Sequence, residues 1–248
     1  MTLPAVKTIA VIQARMGSTR LPGKVLKALA GVPVLEWVTS RTRRSSLIDE
    51  VIVATTVEPA DDIIVTECAR LGLLSTRGSV EDVLGRYWQA SRLHCADVIV
   101  RITSDCPLID PELVDELIEA FRREGADYAS NAIEPTYPRG LGAEVMTMAA
   151  LDRAYREAKV PYQRVHVTPY LYENPDLFRI LSVKGNQDHS RHRWTLDTPD
   201  DLELLRAIFA RCGNPEVAGW REILAIVERE PELSRINQHI LQKALEEG

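Results

Sequence analysis

Cysteine is scarce in this 248-residue sequence. Its four copies, Cys68, Cys95, Cys106 and Cys212, lie far apart and form no Cys-x-x-Cys pair. A disulfide framework is therefore not expected, and free thiols in a reducing cytosol are. No long apolar segment opens the chain, and no stretch approaches the roughly 18 apolar residues of a membrane span. Export and membrane insertion are not expected, and the reading is a cytoplasmic protein. Positive charge is not in excess either: 30 Lys and Arg stand against 36 Asp and Glu, a net charge of −6. That balance argues against a nucleic-acid partner. Two common nucleotide signatures are missing as well. The Walker A pattern fails because Val25 follows Lys24, leaving no hydroxyl for a metal, and no G-x-G-x-x-G fingerprint occurs.

What is present is an ordinary globular composition, 45% apolar and 27% charged, enough for one large α/β domain with or without an appendage. The charge is uneven. Residues 1–50 hold eight Lys and Arg against three Asp and Glu, so the remainder carries −11. Within that region an apolar run, Ile9–Ile12, stops at Gln13 and is followed by Ala14, Arg15, Gly17, Ser18, Arg20, Gly23 and Lys24. This is the pattern of a buried strand delivering a cationic, glycine-containing loop to the edge of a sheet. Such a loop suits polyphosphate, because glycines let backbone N–H groups approach and the cations offset the charge. A solvated basic loop is the plainer alternative.

Strand and helix patterns alternate through the first half. Strands are expected at 8–13, 51–54, 73–76, 97–102 and 127–129, and helices at 34–44, 61–71, 80–93 and 111–123. Repeated βα units predict an α/β fold, a mostly parallel sheet with helices on both faces. Ligands of such sheets bind beyond the carboxyl ends of the strands, where the basic loop falls. The alternation then loosens. Residues 131–142 read as a long loop, 144–148 as a strand, 149–159 as a helix and 162–172 as a helix that Pro169 ends or bends. Strands follow at 178–184 and 194–196, then a helix over 200–212 and a charged, largely helical tail over 213–248.

Two aspartates stand where strands are expected to end. Asp105 follows the 97–102 strand, and a carboxylate there suits magnesium, although turn and cap roles are open to Ser104 and Asp105. Asp110 precedes Pro111 and is assigned the N-cap. Asp197 follows the expected 194–196 strand and precedes Thr198, Pro199, Asp200 and Asp201, which suit an N-cap, N1 and the first turn. That leaves Asp105 and Asp197 as candidates to share one metal. His189-Ser-Arg-His192 is read as a polar turn rather than a zinc site, since no cysteine or second histidine motif accompanies it. His94 is read as a helix-end histidine, and Trp37, Tyr87 and Trp88 as packing residues.

Four ordered motifs carry a resemblance: the Ala14–Lys24 segment, Arg77-Gly78-Ser79, Thr103-Ser-Asp105-Cys-Pro and Leu196-Asp197-Thr-Pro-Asp-Asp201. Together they resemble the sugar cytidylyltransferases over about residues 8–210. The nearest branch is the spore-coat-polysaccharide type F proteins, related to the enzymes that activate 3-deoxy-octulosonate (KDO) and nonulosonates with CMP. The resemblance implies a GT-A-like nucleotidyltransferase fold over 1–212, with an acceptor and dimerisation region near 131–170 and a helical appendage after 212. It also implies CTP as donor, Mg2+ as cofactor and a homodimer. Arg15 and Lys24 would hold the triphosphate with Ala14, Gly17, Ser18 and Arg20 beside them, and Asp105 and Asp197 would ligate magnesium. Arg77 and Ser79 would approach the nucleotide or the acceptor. Arg139, Glu144, Arg164, His166 and Tyr170 fall on acceptor-site motifs. Val165, Arg139 and Gly142 depart from those motifs, replacing up to three carboxylates and adding a cation, which favours an anionic acceptor. The expected reaction is transfer of CMP from CTP to an acidic sugar or a related anionic acceptor, releasing pyrophosphate. A transferase using another nucleotide with a sugar phosphate, or a non-catalytic nucleotide-binding protein, remains the alternative.

Overall fold

Strand β1 (Thr8–Gln13) is apolar on both sides of the backbone and lies in the interior of a seven-stranded sheet. Alternate residues serve different cores. Ala10 and Ile12 join one apolar cluster and Ile9 and Val11 the other, all fully buried. A strand covered on both faces has no use for polar alternation, which is why it reads as a continuous run. The structure, a computed structural model, describes residues 6–242; the expected tail over 213–248 runs beyond them at residues 243–248.

After β1 come a short hairpin, β2 (Ala28–Leu29) and β3 (Val32–Pro33), then α1 (Val34–Thr42), β4 (Glu50–Thr56), α2 (Asp62–Arg70), β5 (Leu74–Gly78), α3 (Val83–Leu93) and β6 (Val98–Thr103). Next are α4 (Pro111–Glu124), β7 (Tyr128–Ser130), β8 (Glu144–Thr147), α5 (Met148–Glu157), α6 (Pro161–His166), α7 (Pro169–Tyr172) and β9 (Ile180–Ser182). The described chain ends with α8 (Pro199–Phe209), α9 (Trp220–Arg229) and α10 (Glu232–Arg235). The sheet order is β5-β4-β1-β6-β8-β7-β9. Pairing is parallel from β5 to β6, antiparallel on both sides of β8, and parallel again between β7 and β9. From β1 the chain builds outward through β4 and β5, then returns to lay β6 on the other side of β1. That reversal opens a crevice at the carboxyl ends of β1 and β6, the strands that lead to Lys24 and Asp105.

Helices cover both faces as expected. The cluster containing Ala10 takes α1, α2, α4, α8 and α9, and the cluster containing Ile9 takes α3, α5 and α7. Local signals set several boundaries. Asp110 caps α4 by accepting from the N–H groups of Glu112 (2.9 Å) and Leu113 (3.2 Å), worth about 1 kcal/mol, and a second oxygen accepts from the Trp220 N–H. Thr198 and Asp201 form a capping box on α8. Residues 162–172 do not make one helix. They break into α6 and α7 at Val167, whose φ of 74° and ψ of −55°, with the Thr168 N–H donating to the His166 carbonyl (2.9 Å), describe a γ-turn of the strained hand. The expected strand at 194–196 is also absent. Its backbone bonds go to loops, Trp194 N–H to Arg139 O and Leu196 N–H to Asp105 O; Trp194 and Leu196 are apolar because they are buried in the core.

Candidate active site

The basic loop is held by its own backbone. The Met16 N–H donates to Asp61 Oδ1 (2.7 Å), while the N–H groups of Ser18 and Gly23 donate to the Met16 carbonyl. Asp61 is buried and also accepts from the Thr56 hydroxyl, so the loop is tied to the end of β4. Leu21 and Val25 point into the core. Gly23, at φ 65°, turns the chain into a 3-10 turn over Lys24–Leu26, a backbone state that a side chain disfavours. The pinned loop leaves Arg15 and Arg20 at the surface of the crevice and directs Lys24 inward.

Asp105 and Asp197, separated by most of the chain, converge on one point. The Lys24 ammonium lies between them, 2.7 Å from Asp105 Oδ2 and 2.8 Å from Asp197 Oδ1, and Arg20 approaches the same Asp197 oxygen at 3.3 Å. Burial alone would lower the Lys24 pKa, but the two carboxylates outweigh it and raise it to about 12. Burial alone would raise Asp105; Lys24 and the Thr103 hydroxyl, which donates to Asp105 Oδ1 at 2.6 Å, bring it down to about 2. Asp197 reaches this point through loop packing, without the expected strand. The segment around Thr195 is bonded to the Asp105 carbonyl on one side and to residue 139 on the other. At Gly140, φ 109°, a Cβ would come within 2.7 Å of the Trp194 backbone, so only glycine permits this approach. Arg193 fixes the carboxylate itself, donating to Asp197 Oδ2 (2.8 Å) and to fully buried Asp201 (2.9 Å), which also accepts from Asn237.

Two cavities meet there. One of about 510 Å³ is lined by Ala14, Arg15, Gly17, Ser18, Arg20 and Lys24. The other, about 650 Å³, is lined by Arg101, Asn131, Tyr137, Arg139, Gly142 and Glu144 among others. Gln13, Arg20, Thr103, Asp105, His166 and Asp197 belong to both. His166 ends α6 just before the strained Val167 turn. On the larger cavity's wall Glu144 pairs with Arg101 and accepts from the hydroxyls of Tyr128 and Thr168. Arg139 makes no ion pair among the described residues and is exposed over the cavity.

Four of the expected site residues line neither cavity. Arg77 lies on β5, donating to the carbonyls of Thr56 and Glu58 and pairing with Asp62 at 2.7 Å. Ser79 accepts from the Glu81 N–H, and its neighbours Val80 and Glu81 line the smaller cavity in its place. Arg164 pairs with Asp82, the N-cap of α3, and lies over the Tyr155 ring; Tyr170 donates to Glu157 at 2.5 Å. Sequence reasoning passed over Gln13, Arg101, Thr103, Arg193 and Asn237. Gln13 ends β1 with its Oε1 buried and without a hydrogen-bond partner among the described residues. An apolar strand ending in glutamine at a crevice was the available signal; the others depend on partners distant in sequence.

Residues 9–229 match the cytidylyltransferase family. The chain is 40% identical over 243 residues to an uncharacterised protein of Methanocaldococcus jannaschii, covering 97% of this chain and 98% of that one. It is 34% identical over 231 residues to the spore coat polysaccharide biosynthesis protein SpsF of Bacillus subtilis, covering 90% and 94%. A solved cytidylyltransferase of Leptospira borgpetersenii superimposes with a TM-score of 0.89 at 30% identity, covering 97% of this chain and all of that one. By the match over most of its length and by these relatives, the chain belongs to the cytidylyltransferase family.

Proposed function

We propose that this chain transfers CMP from CTP to an acidic sugar of the KDO or nonulosonate kind, or a related anionic acceptor, with release of pyrophosphate. The observation that carries the reading is the junction of the two cavities at Asp105 and Asp197. The smaller cavity, with Arg15, Ser18, Arg20 and Lys24, has the cations for a triphosphate, each charge-assisted contact contributing about 1.5–3 kcal/mol. In the larger, Arg101 is matched by Glu144, whereas Arg139 has no ion-pair partner among the described residues and is available to an acceptor carboxylate. An acceptor oxygen held by the larger cavity attacks the α-phosphorus in line, and negative charge grows on the leaving pyrophosphate, where Arg15 and Lys24 stabilise it.

The carboxylates fit magnesium. Already converged on a single ammonium, they form a hard, all-oxygen pair of the kind that ion takes alongside phosphate oxygens and water. Asp105 and Asp197 would hold it, and when bound it would polarise the α-phosphate and activate the acceptor oxygen. Arg193 and Thr103 keep the two carboxylates aimed at the junction. Triphosphate offers Lys24 an alternative partner to the aspartates. The test is pyrophosphate release with CTP, UTP, GTP or ATP across acidic sugars, phosphonates and sugar phosphates. Turnover is expected with CTP and an acidic sugar and is abolished by chelation. Turnover only with a sugar phosphate, or tight CTP binding without turnover on any acceptor, overturns the reading. A homodimer formed through residues 131–170 is part of the same proposal; a monomer by size-exclusion chromatography with light scattering removes that part.

A further inference from the structure

The turn that reads as merely polar in sequence meets a third side chain in the fold. Ligand atoms of His189 and His192 lie within 4.8 Å of each other and of a Glu228 carboxylate oxygen, which α9 supplies. We propose that His189, His192 and Glu228 form a binding site for a zinc-class divalent transition metal, sharing no residue with the Asp105–Asp197 pair.

The independent sign is in the ring nitrogens. Nδ1 of His189 and Nε2 of His192 are both buried, and neither has a hydrogen-bond partner among the described residues. Buried polar atoms are seldom left this way, and here they belong to the two histidines whose ligand atoms gather with the Glu228 carboxylate. An ordinary His–carboxylate hydrogen bond does not account for them, because His189 Nδ1 and Glu228 Oε1 are 3.9 Å apart, beyond hydrogen-bond range. The rest of the arrangement resembles a ligand shell. His192 is 6% exposed, and its other nitrogen, Nδ1, is 3.2 Å from the Ser234 hydroxyl, the kind of outer contact that fixes a ligand's ring orientation. The His189 ring is held edge-on to Trp220, 6.0 Å between centroids. Tetrahedral zinc, with bonds of about 2.0–2.2 Å, sets its ligand atoms roughly 3.3–3.5 Å apart, so no pair need close by more than about 1.5 Å. The Glu228 side chain is 45% exposed and supplies that movement once Arg191, 65% exposed and 3.3 Å away, swings off. Two imidazoles and one carboxylate favour zinc over magnesium and leave one position for water. Such an ion would tie the turn, whose Ser190 lines the larger cavity, to the C-terminal helices.

The test uses the full-length, untagged chain, stripped by chelator, carrying Asp105→Asn and Asp197→Asn so that the other carboxylates do not compete. Zn2+ is titrated by calorimetry, and Co2+ is added to read the visible absorption of a four-coordinate site. One equivalent of Zn2+ is expected, with a rise in Tm and a strong Co2+ band. H189Q/H192Q should abolish all three. Glu228→Gln touches only an exposed side chain, so it should keep the metal-free Tm while weakening Zn2+ affinity at least about tenfold. No Zn2+ uptake by the starting chain, or unchanged affinity and Co2+ spectrum in Glu228→Gln, overturns the proposal even if H189Q/H192Q fails to fold.

Discussion

The two cavities that meet at Asp105 and Asp197 are built in different ways. The smaller takes about half of its wall from one short segment, residues 13–25, which leaves an interior parallel strand and is pinned by its own backbone and by Asp61. The larger is assembled from pieces distant in sequence: Arg101 on β6, the loop around Arg139, Glu144 on β8 and the region around Thr195. A wall made from one loop keeps its chemistry when the rest of the chain drifts. A wall made from several can change one side chain at a time: Arg139 and Gly142, two departures from the family's motifs, line the larger cavity, and the third, Val165, lines the smaller from outside the 13–25 segment. On the proposed function, nucleotide handling is concentrated and acceptor handling distributed.

The junction should fail for both sides at once. Asp105→Asn and Asp197→Asn are each expected to lower kcat by about 100- to 1,000-fold, as loss of a preorganised electrostatic group does, while circular dichroism shows a retained fold. Near-normal turnover in both would remove the junction from the chemistry. Gly140→Ala should damage the distributed wall alone. Its Cβ would meet the Trp194 backbone at 2.7 Å in a left-handed conformation, a strain of about 1–3 kcal/mol. A lower Tm and a raised acceptor KM are expected, with the affinity for CTP changed least. If CTP binding falls in step, the two walls are not separable.

The contrast also explains what the sequence disclosed. Strand β1 and the N-caps at Asp110 and Thr198 were legible because each depends on neighbours within a few residues; Asp105 and Asp197 stood out locally only as aspartates without a capping role, and their convergence rests on contacts far apart in sequence. The Trp194–Leu196 segment was misread as a strand because burial against loops and burial in a sheet demand the same apolar residues; only the partners of its N–H groups tell them apart. The break at Val167 was equally hidden, since a β-branched residue gives no warning of a positive φ. Lys24 read as a phosphate ligand, and its place between two aspartates 81 and 173 residues away left no local trace. Arg193, which aims Asp197, and Asn237, which supports Asp201, belong to the same long-range class.

Acid stability gives a further comparison at the junction. Asp105 has its pKa depressed from 3.8 to about 2. Its contribution is therefore complete above pH 3.8 and is lost as pH falls through about 2, a change of about 2 kcal/mol. In the metal-free protein, Asp105→Asn should flatten the acid limb of the stability curve between those values; an unchanged limb would mean that Lys24 does not hold the carboxylate in solution. Arg139→Gln, over the larger cavity, should raise the KM for an anionic acceptor about tenfold, the loss of one charge-assisted contact, and leave the KM for CTP alone. An effect on CTP instead would move Arg139 to the nucleotide side.

The smallest effect is expected from Tyr170→Phe, which sharpens the boundary of the distributed wall. Tyr170 falls on an acceptor-site motif, yet its hydroxyl is spent on Glu157 and its ring on Phe178, and it lines neither cavity. Removing that exposed hydrogen bond should cost about 0.5 kcal/mol in stability and leave kcat/KM for the acceptor within measurement error. His166, four residues earlier and on the opposite side of the Val167 turn, lines both cavities; His166→Ala should lower kcat/KM where Tyr170→Phe does not. Equal losses in both variants, with Tm unchanged, would extend the acceptor wall past the turn and make α7 part of it.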